Sequence, residues 1–245
     1  MKTLGLLGGM SWESTAIYYR LLNEIVRERL GGLHSAKLLL WSFDFAEIAE
    51  RQHHGDWDGA GVLLVEAARR LEAGGAEGLL LCTNTMHKLA DQVQASVSIP
   101  LIHIADATAA AVKRAGMHRP ALLATRFTME QDFYKGRLAD KYGLRPVVPD
   151  AAGRDMVHRV IYEELCQGVV TEASKAAYIA ETERLRRDEA ADSVIMGCTE
   201  ITMLIGQPDF DIPVFDTTRI HAEAAVAFML PCTNSRKNGF PGKSA

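Results

Sequence analysis

Three short motifs combine glycine, hydroxyl, amide and thiol groups directly after apolar runs. They are GGMSWES at Gly8–Ser14, CTNTMH at Cys82–His87 and GCTE at Gly197–Glu200. A cysteine at a strand end, just before the amides that open a helix, has a physical reason for a lowered pKa and thiolate character. We expect such chemistry at Cys198, because its loop is polar and has a counterpart motif in the other half of the chain. A lone cysteine is more often core packing, which is our interpretation of Cys166.

The first motif, GGMSWES, is typical of a binding loop rather than a nucleotide site. It lacks the glycine spacing of a dinucleotide fingerprint and the lysine of a P-loop. Its glycines permit close backbone approach, and free amides at a helix N-terminus suit a carboxylate or a phosphate. The alternative is a simple strand-to-helix turn in which Ser11 or Ser14 caps the helix.

The elements that must position these motifs are short apolar strands alternating with longer helices. The predicted strands are Thr3–Leu7, Lys37–Phe43, Leu79–Cys82, Pro100–Ile104, Ala121–Thr125, Ser193–Gly197 and Pro213–Asp216. Helical patterns between them include Ser14–Leu30, Asp58–Leu71, Asp106–Arg114, Asp155–Leu165 and Ser174–Arg186. This alternation predicts an α/β fold with mostly parallel sheets, which bind ligands at the carboxyl ends of their strands.

A weak internal repeat relates the two halves of the chain. Leu79–Thr83 is similar to Val194–Thr199, and Ile99–Ile102 is similar to Ile212–Phe215. The repeat predicts two pseudo-symmetric lobes, each a mostly parallel sheet flanked by helices, with the active site in the cleft between them. We expect the first lobe to span residues 1–104 plus 207–230, the second to span 105–206, and a disordered tail to span 231–245.

Composition narrows the class of partner. The 245 residues are 48% hydrophobic and 24% charged, with a net charge of −4 and no basic run that would suit nucleic acid. No stretch approaches the roughly 20 apolar residues of a membrane helix, and the first apolar run is typical of a strand rather than a signal peptide. The four scattered cysteines predict neither a zinc site nor a disulfide framework. We expect a cytoplasmic protein with a small-molecule partner and no metal.

Two loops that face each other across a cleft suit one reaction class. Removing a proton from one face of a carbon and returning one to the other face needs acid–base groups on opposite sides. A thiolate can be the base, and a thiol or hydroxyl the acid. The substrate must also be held fixed, and hydroxyl and amide groups in both loops are suited to that. These groups belong to Thr83, Asn84, Thr85 and Thr199.

The motifs GGMSWEST, CTNTMH and GCTEI resemble those of the aspartate/glutamate racemase family, which are cofactor-independent amino-acid racemases. The similarity runs over about residues 1–230 and includes HIADAT at 103–108 and TMEQDFY at 128–134. It implies an isomerase without pyridoxal phosphate, often a homodimer, that binds aspartate or glutamate between two lobes. Related folds racemise hydantoins or decarboxylate arylmalonates, and a binding protein that lost turnover is the alternative from another class.

One position departs from the family pattern. The family usually has a cysteine directly before Asn-Thr, whereas here Thr83 precedes Asn84 and Cys82 comes one residue earlier. The internal repeat instead aligns Cys82 with Cys198. We follow the Asn-Thr alignment, because a shift of one residue turns a side chain to the opposite face of a strand. We therefore expect Thr83 in the cleft and Cys82 inside the lobe.

The resemblance also implies roles for individual residues. Cys198 would take the α-proton of an L-amino acid, while Thr83 would be a poor acid or base for the return step, so L-substrates should exchange faster than D-substrates. Glu200 would orient Cys198 or the substrate ammonium group, or would only cap a helix. The remaining expected substrate contacts are backbone amides at Met10 and Ser11, the groups of Asn84, Thr85 and Thr199, and Gln52 for a distal carboxylate. Arg51 is a rival for that last role, and Gln52 is otherwise an exposed helix-end residue.

Overall fold

The computed structural model of the protein describes residues 1–230, so the tail predicted over 231–245 lies outside the described residues. Within them, seven strands form two parallel sheets. The strands are β1 Leu4–Gly8, β2 Leu38–Ser42, β3 Gly78–Leu81, β4 Leu101–Ile102, β5 Pro120–Ala124, β6 Ser193–Gly197 and β7 Val214–Asp216. Every strand end lies within two residues of its predicted position. The predicted α/β fold with parallel sheets flanked by helices is confirmed.

Helices fill the connections between the strands. They are α1 Trp12–Leu30, α2 Phe45–His54, α3 Trp57–Ala73, α4 Ala90–Ala95, α5 Ile104–Arg114, α6 Arg126–Glu130, α7 Asp132–Tyr142, α8 Ala151–Glu163, α9 Glu172–Glu189 and α10 Thr217–Met229. Short 3₁₀ turns follow β3 at Thr85–Leu89 and β6 at Thr199–Met203. Side-chain caps explain where several helices begin, as at Ser11 before α1 and Asp216 before α10. No helix of residues 1–230 has the length and apolar character to span a membrane.

The strand order places the motif loops at one edge of each sheet. The first sheet has the order β2-β1-β3-β4 and the second has the order β5-β6-β7. All neighbours are parallel, so the ends of β1 and β3 lie side by side, as do those of β5 and β6. Each of the three predicted motifs therefore emerges at the carboxyl edge of a sheet.

Apolar packing divides the molecule into two lobes. The first sheet is covered on one face by α3 and on the other by α1 and α10. The second sheet shares one core with α5, α7, α8 and α9.

The chain crosses back to the first lobe later than the expected boundary at residue 207. Strand β7 pairs with β6 through Val214, Phe215 and Asp216, so it belongs to the second sheet. The buried face of α10 instead packs against α1 and the first sheet. Strand pairing therefore keeps the chain in the second sheet as far as Asp216. The internal repeat agrees with this pairing, because it aligns Ile212–Phe215 with Ile99–Ile102, and β4 pairs with β3 as β7 pairs with β6.

Candidate active site

A small cavity of about 90 Å³ lies between the two lobes, and we refer to it as the interlobe cavity. Nine predicted site residues line it: Met10, Ser11, Gln52, Thr83, Asn84, Thr85, Cys198, Thr199 and Glu200. Sequence reasoning assigned no binding role to its other lining residues, which are Ser14, Phe45, Thr125, Ile161, Tyr162, Cys166 and Gly197. Of these residues, Thr125 could have been found from the sequence, because it follows β5 in the way that the first motif follows β1. The cavity thus brings together loops that are far apart in the sequence.

The side chains of Cys82 and Thr83, at the end of β3, lie in different surroundings. Side chains of this strand alternate between two cores: Leu79 and Leu81 pack toward α3, whereas Leu80 and Cys82 pack toward α1 and α10. Cys82 is fully buried, and this burial raises the pKa of its thiol. Thr83 lies beyond the strand and lines the interlobe cavity. Thr83, rather than Cys82, is therefore the residue of this pair that lines the interlobe cavity.

The thiol of Cys198 is paired with a carboxylate. Its Sγ–H donates to Oε2 of Glu200 at 2.9 Å. Burial of the thiol, followed by the nearby Glu200 charge, raises the pKa of Cys198 well above its ordinary value. Our expectation of a lowered pKa is therefore wrong. The helical segment after Cys198 is a single 3₁₀ stretch, Thr199–Met203, and its amides do not outweigh desolvation and the neighbouring carboxylate.

Hydroxyl groups connect the first motif to the second lobe. Ser11 caps α1, accepting from the N–H of Ser14 at 3.2 Å, and its Oγ–H also donates to Oε1 of Glu200 at 3.2 Å. The Oγ of Ser14 donates to the carbonyl of Cys82 at 3.0 Å and lies 2.8 Å from Oγ1 of Thr199. The capping role predicted for Ser11 is therefore confirmed, and the same hydroxyl also holds the carboxylate beside Cys198. Binding of a ligand anion by this motif stays a prediction.

Gly9 explains why the first motif begins with glycines. Its φ is +85°, a backbone conformation that L side chains rarely adopt. A Cβ at this position would lie 2.3 Å from the carbonyl oxygen of Phe43. Only a residue without a side chain permits this approach of the β1 and β2 loops.

Asn84 holds an unused acceptor beside the cavity. Its side chain is 5% exposed, and Nδ2 donates to Oγ1 of Thr217 at 3.1 Å. Its Oδ1 is buried and has no hydrogen-bond partner among residues 1–230. An unmade hydrogen bond at a buried acceptor costs about 1–3 kcal/mol, so this oxygen suits a ligand with a donor group. An ammonium group has that chemistry.

Gln52 and Arg51 face different surroundings. Gln52 is 8% exposed, which excludes the reading of an exposed helix-end residue, and its Nε2 contacts Sδ of Met86 at 2.9 Å. Arg51 forms an ion pair with Asp56 on the rim of a separate surface groove. Of the two rivals, only Gln52 lines the interlobe cavity.

A neutral histidine supports the Thr83 loop. Nδ1 of His87 donates to the carbonyl of Thr83 at 2.7 Å, and Nε2 accepts from the N–H of Ile104 at 3.2 Å. Burial and two neighbouring histidines, His103 and His221, keep the pKa of His87 well below its ordinary value. The imidazole therefore remains uncharged and fixes the loop by hydrogen bonding. No group of three His, Cys, Asp or Glu side chains within residues 1–230 is arranged to hold a metal ion.

Comparison with known proteins gives consistent matches over nearly the whole chain. Residues 7–225 match the Asp/Glu/hydantoin racemase family. A Yersinia pestis protein, assigned as an Asp/Glu racemase, is 52% identical with a TM-score of 0.89, over 94% of this chain and 100% of its own. An aspartate racemase homologue from Pyrococcus horikoshii OT3 is 35% identical with a TM-score of 0.83, over 93% of this chain and 99% of its own. RacX of Bacillus subtilis strain 168, a broad specificity amino-acid racemase, is 20% identical over 93% of this chain and 98% of its own.

Proposed function

The chain belongs to the Asp/Glu/hydantoin racemase family and is an amino-acid racemase, and we propose that it acts by direct deprotonation and reprotonation of Cα without pyridoxal phosphate. In this proposal Cys198 is the base toward the L-enantiomer, and Thr83 faces it from the other lobe. The observation that carries the proposal is that these two residues, one from each lobe, line the same small cavity.

Groups on both lobes suit the common part of an amino acid. The α-ammonium group would donate to the unpaired Oδ1 of Asn84 and lie near the Glu200 carboxylate. The α-carboxylate would meet the N-terminal end of the 19-residue helix α1, where Met10 and Ser11 line the cavity and the helix dipole favours an anion. Thr85 and Thr199 complete the polar wall. With both charged groups held, Cα lies between the two lobes.

The proton path begins with a thiol rather than a thiolate. Glu200 is the nearby acceptor for the Cys198 proton, since its Oε2 already receives the S–H hydrogen bond. The thiolate then takes the α-proton of the L-amino acid. Thr83 would return a proton to Cα from the other side. Because the pKa of a hydroxyl is far from the working pH, Thr83 is a poor acid or base, and exchange that starts from the D-enantiomer should be slower.

Aspartate and glutamate are the substrates that the motifs imply, and both belong in the first assay. The groups that would hold the α-ammonium and α-carboxylate are distinct from those that would meet the side chain, so the mechanism does not depend on the side chain chosen. The homodimer that the resemblance implies is part of the same proposal, and light scattering of the purified chain would test it.

The test is exchange of the α-proton in heavy water without pyridoxal phosphate, followed by NMR. We expect L-amino acids to lose their α-proton signal with the wild-type protein and to keep it with Cys198→Ala. Binding without exchange would contradict the proposal and favour a binding protein instead. Equal initial rates from L- and D-enantiomers would contradict the assigned asymmetry of Cys198 and Thr83.

A further inference from the structure

Thr217, the first residue of α10, contacts both lobes through one hydroxyl group. Its side chain is fully buried. The hydroxyl oxygen accepts a hydrogen bond from Nδ2 of Asn84 at 3.1 Å, in the loop after β3. The hydroxyl proton is donated to the carbonyl of Met196 at 2.8 Å, in β6. This hydroxyl therefore connects the Thr83 loop of the first lobe to the strand that precedes Cys198 in the second lobe.

The direction of these two hydrogen bonds follows from what each group can do. A backbone carbonyl only accepts, so the single hydroxyl proton of Thr217 is used on the carbonyl of Met196. The oxygen of Thr217 is then left as an acceptor. A carboxamide has a donor end and an acceptor end, and only its NH₂ group can pair with such an oxygen. Asn84 therefore turns Nδ2 toward Thr217 and leaves Oδ1 as its free end.

The free end of Asn84 is the end that a ligand would meet. Asn84 is buried and lines the interlobe cavity, and its Oδ1 has no hydrogen-bond partner among residues 1–230. A carbonyl oxygen in this position accepts from an ammonium group and cannot bind a carboxylate, which is also only an acceptor. A reversed carboxamide would present its NH₂ group, which binds a carboxylate and not an ammonium group. The orientation of this one side chain decides which charged group is accepted here.

We propose that Thr217 is a positioning residue that fixes the orientation of the Asn84 carboxamide, and that it thereby makes the site selective for ligands with an ammonium group. The inference rests on the proposed function, in which Oδ1 of Asn84 receives the α-ammonium group of the substrate. Thr217 does not itself line the interlobe cavity, so it acts through Asn84. Because Thr217 is also bonded to β6, it holds the ammonium-binding oxygen in a fixed relation to Cys198, which follows that strand.

The test compares ligands with and without an ammonium group. The pairs are L-aspartate with succinate and L-glutamate with glutarate, and binding is measured by calorimetry in the Cys198→Ala variant, which is expected not to exchange. The measured quantity is the dissociation constant of the deamino analogue divided by that of the amino acid, and we refer to it as the ammonium ratio.

Thr217→Val, which keeps nearly the same volume without the hydroxyl, should lower the ammonium ratio at least about tenfold. The reason is that the carboxamide is then free to reverse, and a hydrogen bond to a charged group is lost. Thr217→Ala only removes atoms and carries the same expectation. Thr217→Ser keeps the hydroxyl and should keep the ratio within about twofold of the parent protein.

Two further measurements separate this role from a general loss of packing. Thr182→Val removes another fully buried hydroxyl, which donates to the carbonyl of Tyr178 at 2.8 Å within α9, and it should leave the ammonium ratio unchanged. In an Asn84→Ala background, Thr217→Val should have no further effect on the ratio, because the carboxamide through which it acts is missing. Equal weakening of both members of a pair in Thr217→Val, or an equal fall of the ratio in Thr182→Val, would overturn the inference.

Failure of the inference and failure of the proposed function give different results. Exchange of the α-proton by the wild-type protein, with an unchanged ammonium ratio in Thr217→Val, would overturn the inference and leave the racemase function intact. A lowered ratio in Thr217→Val, with no exchange of any amino acid by the wild-type protein, would support the inference and overturn the proposed reaction. Amino acids that bind no more tightly than their deamino analogues when Thr217 is intact would overturn both the inference and the ammonium site on which it rests.

Discussion

Cys82 and Cys198 each follow an interior strand of one of the two sheets, yet Cys82 lies in an apolar core whereas Cys198 lines the interlobe cavity. Cys82 continues the ladder of β3, since its N–H donates to the carbonyl of Leu7 at 2.9 Å. Its side chain is therefore held on one face of the sheet, where it is fully buried. Cys198 follows Gly197, the last residue of β6 paired with β5, and its thiol turns toward Glu200 in the interlobe cavity.

This comparison shows that a residue directly after a strand does not always point its side chain into the cleft. The direction of the side chain depends on how far the hydrogen-bonded strand continues, because each added residue points its side chain to the opposite face of the sheet. The first lobe therefore presents Thr83 and the second lobe presents Cys198. The two halves of the repeat share a fold but offer groups of different acidity.

The sharpest way to break the comparison is to remove each thiol in turn. Cys198→Ala should lower α-proton exchange of L-amino acids by about 10²- to 10⁴-fold, the range typical of a general base. Cys82→Ala should leave exchange within about twofold of wild type, because its thiol packs in a core rather than in the cavity. NMR exchange rates measured on both variants check this.

The comparison of exchange rates requires that both variants, Cys198→Ala and Cys82→Ala, are folded. Thermal denaturation of each variant checks this. Alanine at residue 82 deletes a buried sulfur and should cost stability on the order of 1 kcal/mol. A large loss of exchange in a folded Cys82→Ala variant would contradict the assignment of Thr83 to the cleft.

The next variant makes the two loops alike. Thr83→Cys gives the first lobe a thiol, whose ordinary pKa of about 8.5 is far better suited to proton transfer than a hydroxyl. We expect exchange from D-enantiomers to rise at least tenfold, by the magnitude that general acid–base catalysis supplies, while exchange from L-enantiomers changes little. Initial rates from both enantiomers measure it. An unchanged D-rate would mean that residue 83 does not limit the return step.

A smaller change concerns the carboxylate beside the thiol. Glu200→Gln removes the negative charge that helps to raise the pKa of Cys198, so the thiolate should form at lower pH. Burial, the larger cause, remains, and the pKa should stay above its ordinary value. The pH dependence of iodoacetamide labelling, located by peptide mass spectrometry, separates Cys198 from Cys166. A labelling profile that does not move would exclude Glu200 as a cause of the shift.

Much of the scaffold was predictable because its signals are local. Buried parallel strands are continuous apolar runs, and the polar loops after them mark the edge where ligands bind. The position of Thr83 relative to Cys82 followed from the alternation of side chains along a strand.

What escaped prediction depends on contacts between distant segments. Phe45, Ile161 and Tyr162 reach the interlobe cavity from helices whose packing no motif reveals. The raised pKa of Cys198 was missed because its largest cause is burial of the thiol; the second cause, Glu200, stands two residues away in the sequence. The Glu200 carboxylate adds to the effect of burial, and the burial of a thiol depends on the packing of distant segments, which the sequence does not reveal.

The smallest predicted effect is on the pH dependence of stability, and it reflects the different groups that hold the two loops. A neutral histidine supports the Thr83 loop, whereas a carboxylate supports Cys198, and acid should weaken the fold through the buried histidines around His87. His103, beside Arg137, Asp106 and Lys141, has a pKa lowered to about 3 by burial and by Arg137. The unfolded chain, with a histidine pKa of about 6.5, then binds more protons than the folded chain, and stability present above pH 6.5 is lost as the pH falls toward 3.

His103→Asn isolates this contribution, because His103 caps α5 by accepting from the N–H of Ala105 at 3.1 Å, and asparagine can cap without titrating. One buried histidine contributes at most about 1.4 kcal/mol for each pH unit below 6.5. We expect the free energy of unfolding in urea to fall less steeply between pH 6.5 and 4.5 in this variant than in wild type. His34→Asn, at an exposed position, serves as the control and should keep the wild-type slope. Equal slopes in all three proteins would mean that His103 gains its proton without opposing the fold, and the acid sensitivity assigned to it would be wrong.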